Sequence, residues 1–162
     1  MAAGNIYLNI PGIKGESLTS GYQGQIAVST FSEGINNTIA IGTGSGTGSG
    51  KAAFADITIA KNLDSASTPM YLTCAQGSPL QNPVVLTVTK TTGTGEVAYY
   101  TLTLSNVFIK SISTTTTAGE GATENLVLTC GSIQWSYTPF NSTGQPGTPI
   151  VHNWSVLSQT GS

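Results

Sequence analysis

The sequence predicts a mostly β fold: a single-domain barrel of antiparallel strands with one short α-helix and an extended glycine-rich loop. Three observations predict it. Apolar residues alternate with polar ones at a period of two in many short segments, turn residues separate those segments, and a single stretch breaks the period. At 162 residues the chain is expected to form one domain over its whole length, 1–162, with enough buried surface to need no disulfide staples.

Taken in order, Ile6, Leu8 and Ile10 alternate with Tyr7 and Asn9, and Ala55, Ile57 and Ile59 with Asp56 and Thr58. Val84, Leu86 and Val88 alternate with Thr87 and Thr89, and Tyr100, Leu102 and Leu104 with Thr101, Thr103 and Ser105. Leu126, Leu128 and Cys130 follow, then Ile133, Trp135 and Tyr137, and a last strand is expected from Val151 to Leu157. Each pattern reads as a strand with one buried face. The outer positions carry Thr and Ser, which suit a strand but give little charge protection against self-association. The exception to the period begins at Ser67. A hydroxyl N-cap, Pro69 at the first helical position, apolar residues Tyr71, Cys74 and Ala75 at helical spacing, and a stop at Gly77 predict a helix of two to three turns, placed to plug the end or side of the barrel.

The connections are polar. Gly42 to Gly50 is a flexible low-complexity loop, Thr91 to Gly95 a hairpin connection, Thr114 to Gly121 a further loop, and Asn141 to Pro149 too rich in Gly and Pro for regular structure. None marks a domain boundary.

Composition excludes several functions. Apolar residues reach 38% and the net charge is only −2, so the chain is not a disordered one. Arg is absent, and the five lysines, Lys14, Lys51, Lys61, Lys90 and Lys110, are dispersed, which argues against nucleic acid and against an electrostatic membrane anchor. No apolar run is long enough for a spanning helix, and the start of the chain lacks the basic and apolar regions of a secretory signal, so a chain that leaves the cell is expected to leave by another route. Cys74 and Cys130 read as buried thiols, and the sequons at Asn36, Asn141 and Asn153 as chance matches in a Ser/Thr-rich chain.

Catalytic signatures fail one by one. A phosphate loop ending at Lys51 would need Gly where Ser45 stands and Ser or Thr where Ala52 stands. The glycines from Gly42 to Gly50 fall only on even positions, so a dinucleotide fingerprint cannot form there. His152, the sole histidine, sits beside Trp154 in a strand and reads as a strand residue rather than a base; one His and two distant Cys make no metal cluster. Glu33, Glu120 and Glu124 read as solvated or inter-subunit polar residues. Trp135 and Trp154 read as core aromatics, with a sugar-stacking platform as the competing reading. No catalytic, cofactor or metal residues are therefore assigned, and the chain is expected not to be an enzyme.

Several blocks together resemble a known family. Ile6 to Ser17, containing Lys14-Gly15-Glu16-Ser17, then Gly21 to Val28, then Lys51 to Asp64 and Ser67 to Pro69 after the glycine loop, are similar to the haemolysin-coregulated protein (Hcp) family of bacterial type VI secretion. Tyr99 to Ile109, Glu124 to Leu128 and Ile133 to Tyr137 continue the similarity in order, so it covers nearly the whole chain. The resemblance implies a compact barrel with a helix beside it, assembling into hexameric rings that stack into a tube and hold effector proteins in the lumen. It implies a homo-oligomer partnered by other type VI components, present in the bacterial cytoplasm and secreted without a cleaved signal. By the same analogy the protruding loop, Gly42, Thr43, Gly44, Ser45, Gly46, Thr47, Gly48, Ser49 and Gly50, is expected to make ring or stacking contacts. The chain departs from the family in having fewer basic residues and Asn153-Trp154-Ser155 where Gly-Trp-Asp is common. The alternative reading is a secreted carbohydrate-binding or adhesive β-sandwich, motivated by the Thr/Ser/Gly content and the two tryptophans.

Overall fold

The computed structural model describes residues 3–39 and 50–162. In chain order the strands are β1 (Ala3–Asn9), β2 (Ile26–Ser32), β3 (Ile35–Asn37), β4 (Ala52–Phe54) and β5 (Ile57–Asn62), followed by the helix α1 (Ser67–Gln76). Then come β6 (Val84–Thr92), β7 (Gly95–Ser105), β8 (Phe108–Thr117), β9 (Gly121–Thr129), β10 (Ser132–Tyr137), β11 (Ile150–Ser155) and β12 (Thr160–Gly161). Ten strands form one antiparallel sheet in the order β12-β11-β10-β7-β6-β1-β2-β5-β9-β8, and β3 and β4 form a separate two-stranded arm.

The mostly antiparallel β class with one short helix is as expected, but the sheet is not closed by hydrogen bonds. It curls until residues of β9 and β10, far apart in the strand order, line the same pocket. No ladder joins β9 to β10, and the gap between their facing residues is the seam. The inward side chains Leu8, Ile26, Ile59, Leu86, Leu102, Leu104, Leu126 and Leu128 are all fully enclosed and belong to one core cluster. Enclosing each such side chain contributes about 1.5–3 kcal/mol, so the curled sheet is held by its core even where the ladder stops.

Simple alternation understates the burial in the centre of the sheet. Tyr7, Thr87 and Thr89, which the period assigns to the solvent face, are buried. The segment 14–25 folds over that face, and the Tyr22 ring stacks on Tyr7 with centroids 4.3 Å apart. Here the Lys14-Gly15-Glu16-Ser17 block finds its structural meaning. A Cβ on Gly15 would lie 2.5 Å from the Gln25 carbonyl oxygen, so only glycine permits this approach. Ser17 N–H donates to the Gln25 carbonyl, the Ser65 hydroxyl donates to the Lys14 carbonyl, and Ser65 N–H donates to a Glu16 carboxylate oxygen.

Three other expectations are corrected. Thr114 to Thr117 belong to β8, and only 118–120 turn, because Gly119 and Gly121 take positive φ and let the long β8–β9 hairpin close tightly. The helix begins at Ser67, with Ala66 at the cap position and no side-chain cap there. The Asp64 carboxylate instead accepts from Ala66 N–H at 3.0 Å, and Pro69 is the third helical residue. The side chains buried from the helix are Ser67 and Met70, with Cys74 half-buried; Tyr71 is exposed, as is Ala75. Gly77 ends the helix in the left-handed conformation, as its sequence position predicts.

Ser67 is withheld from capping because it serves a buried charge network. Lys61 on β5 and Glu124 on β9 face each other across a ladder at 2.5 Å, both side chains fully enclosed. Lys61 Nζ also donates to Asp64 at 2.9 Å, to the Asn62 carbonyl and to Ser67 Oγ. Ser67 Oγ donates to one Glu124 oxygen at 2.7 Å and Thr114 Oγ1 to the other at 3.1 Å. Glu124 is thus a buried structural carboxylate rather than a solvated one. Burial raises its pKa, but the donors Lys61 and Ser67 and the lysine charge outweigh that and hold it below the ordinary range.

Candidate functional site

Among the described residues no cleft with catalytic geometry stands out, so the candidate functional surface is the seam together with the arm beside it. The arm is the β3–β4 hairpin, with Ile35 opposite Phe54 and Asn37 opposite Ala52. Ile35 and Ile39 are exposed on it, two large apolar side chains offered to solvent. Of the loop expected to make contacts, Gly42 to Ser49 lie outside the described residues. Gly50 is described, and it runs so close to the opposite strand that a Cβ there would lie 2.0 Å from the Thr38 carbonyl oxygen. The arm therefore narrows to two backbones in contact where it leads into the glycine run.

At the base of the arm a pocket of about 260 Å³ opens into the seam. Its apolar lining includes Phe54, Ile57, Leu128 and Trp135, and two carboxylates, Glu33 and Asp56, stand at it. Phe54 packs against both indoles, with its ring centroid 6.1 Å from Trp135 and 6.3 Å from Trp154. The tryptophans are thus half-buried packing residues of the seam, in contact with Phe54, rather than freely exposed surface rings.

Glu33 follows directly after β2 and reaches across to strands on the other side of the core. One of its oxygens accepts a short hydrogen bond from the Tyr100 hydroxyl on β7, and the other accepts from Trp135 Nε1 on β10 at 3.2 Å. Burial, reinforced by the Glu33 hydrogen bond and charge, pushes the Tyr100 phenol far above its usual value, so it stays a donor. Both donors are neutral. Asp56, by contrast, is paired with Lys110 at 2.7 Å on the surface.

A second carboxylate is built in the same manner. Glu96 accepts from the Tyr7 hydroxyl at 2.8 Å, from Thr89 Oγ1 at 3.0 Å and from the Asn5 side-chain amide. Among the described residues the ion pairs are Lys61 with Asp64 and Glu124, and Lys110 with Asp56. Lys90 lies over the Phe140 ring, 3.1 Å from its centroid.

The remaining sequence candidates are scattered. His152 is exposed on β11, opposite Trp135 on β10. Cys74 is half-buried on α1, and Cys130 half-buried at the seam pocket, where burial raises its thiol pKa. Both thiols are less enclosed than the sequence suggests. Glu33 was legible only as a polar residue after a strand, since its partners Tyr100 and Trp135 lie 67 and 102 residues away. Only the three-dimensional fold reveals that they meet.

The two sheet edges differ. Among the described residues β8 has no strand on its outer side apart from an isolated bridge between Pro79 and Phe108, and it presents mainly Ser and Thr. At the other end β12 pairs only with Trp154 and Ser155 of β11, leaving Ile150 and Val151 exposed.

Comparison with known proteins places these features in context. The family described as type VI secretion system effector, Hcp, matches residues 7–137. Protein hcp1 of Pseudomonas aeruginosa is 29% identical over 154 residues, covering 94% of both chains. A solved type six secretion system protein superposes with a TM-score of 0.91 at 22% identity, over 99% of this chain and 100% of that one. Hcp1 from Salmonella typhimurium superposes with a TM-score of 0.80 at 20% identity, over the full length of both.

Proposed function

The chain belongs to the Hcp family of type VI secretion, and from that premise we propose that it is a structural tube subunit whose copies close into hexameric rings. The rings stack into a tube, and the lumen carries effector proteins supplied by the same secretion system. The protein acts by assembly rather than catalysis. It is made in the bacterial cytoplasm and exported by the secretion machine itself. Among the described residues no helix is long and apolar enough to cross a membrane.

The observation that carries the ring is the pair of unlike edges on one open sheet. Unlike surfaces that fit one another make a heterologous contact, which closes into a ring when the rotation between copies divides a full turn. The arm, set apart from the main sheet and bearing exposed Ile35 and Ile39, is the element suited to reach a neighbouring ring. Neutral Ser, Thr and Gly on the covered surfaces avoid repeating like charges around the ring.

Size-exclusion chromatography and negative-stain microscopy of the purified chain test this. Six-fold rings at micromolar concentration are expected. A monomer across that range would refute the ring.

A further inference from the structure

We infer that the seam pocket at Glu33 is a socket for the Lys51 ammonium group of a second copy of the chain, an inference that rests on the ring-forming role proposed above. The pocket combines the two features that hold an organic cation. Glu33 supplies a carboxylate fixed by two neutral donors, with lone pairs left over. Phe54 and Trp135, 18° from parallel, supply aromatic surface, and Ile57 and Leu128 an apolar bed for an aliphatic stem.

Charge complementarity selects the occupant. Among the described residues no cation is paired with Glu33; its partners are a phenol and an indole. Lys61 and Lys110 are committed to other carboxylates and Lys90 to Phe140. Lys14 lies two residues from Glu16. Lys51 is exposed, and it is the sole charged residue between Glu33 and Asp56, so its own arm holds no carboxylate for it. It also sits five residues before Asp56 at the far side of the arm, away from its own socket. An ammonium group leaving water for this pocket finds a carboxylate and an aromatic lining in exchange, while Glu33 gains a countercharge.

Assembly is measured by analytical ultracentrifugation for the wild type, K51Q, K51R, E33Q and K51Q/E33Q, alongside thermal unfolding of the dissociated chains. K51Q is expected to raise the concentration needed for assembly by roughly 10-fold or more, without altering unfolding of the single chain. K51R keeps the charge and is expected to recover most of the loss. The double variant is expected to assemble no worse than E33Q alone, because the two groups serve one contact. K51Q rings that form as readily as the wild type would remove the socket while leaving the ring role intact; additive losses in the double variant would do the same. A wild-type chain that stays monomeric removes the ring role and the socket with it.

Discussion

Replacing Lys61 by Met would leave Glu124 fully enclosed with only the hydroxyls of Ser67 and Thr114 as donors. Breaking a buried ion pair from one side costs about 3–5 kcal/mol, because the remaining charge is stranded. In a chain of this size each kcal/mol shifts the midpoint by about 2–4 °C, so K61M is expected to lower it by roughly 6–20 °C. Removing both charges, as in K61M/E124L, is expected to cost less than either single change, since the fully enclosed charge is gone, Asp64 keeps the Ala66 N–H and some exposure to water, and Ser67 and Thr114 can turn their hydroxyls elsewhere. The pair also carries a pH signature. The Glu124 pKa is lower in the folded chain than the ordinary value of about 4.3, so its contribution is complete above that pH. It is lost as pH falls through the depressed folded value. Wild-type stability should therefore decline in acid below about pH 4.3, and K61M/E124L should lose less over that window. Thermal and urea unfolding at fixed protein concentration, under dissociating conditions, supply the comparison. A double variant that loses as much as the two single changes summed would refute this account of the pair.

Other outcomes follow from features outside that network. Deleting 42–50 is expected to weaken ring stacking while moving the monomer midpoint by no more than roughly 2 °C, read by electron microscopy and calorimetry. A deletion that unfolds the chain would place the loop in the core. Gly15→Ala forces a Cβ to within 2.5 Å of the Gln25 carbonyl and should lift the segment over Tyr7, seen as faster amide exchange at Ser17 and Gly24. Unchanged exchange there would show that the backbones can part without consequence. With twelve charged side chains in the chain, ring assembly should respond only weakly to salt, and dissociation on modest salt addition would contradict the neutral-surface reading.

Much of the sheet was legible because strand periodicity is local. The alternations at Leu102 and Leu104, or Leu126 and Leu128, mark core positions that are indeed fully buried. Alternation failed at Tyr7, Thr87 and Thr89, which are buried on the outer face, since no local pattern announces that Tyr22 will stack on Tyr7 or that Glu96 will accept from Thr89. The polar run Thr114 to Thr117 looked like a loop because an edge strand facing solvent needs no apolar residues. Ser67 looked like a helix cap because capping is a local chemistry, whereas its actual acceptor, Glu124, is 57 residues distant. Glu33 and Glu124 look alike in the sequence, each a lone acid near a strand. One became a buried ion pair and the other a carboxylate held by a phenol and an indole. Fold class was written in short-range patterns; the fate of each charge was decided by long-range neighbours.

The strand order also bears on how the chain is made. β1 precedes the other described strands in the chain, yet it lies in the interior of the sheet, between β2 and β6. Asn5 and Thr89, bonded across that ladder, are 84 residues apart. Until β6 has been synthesised, β1 can pair only with β2, and its other edge stays open to any strand nearby. Such non-local pairing folds slowly and late. The chain therefore passes through its stickiest state before β6 is complete, when an unpaired β1 edge can meet the edge of another incomplete chain.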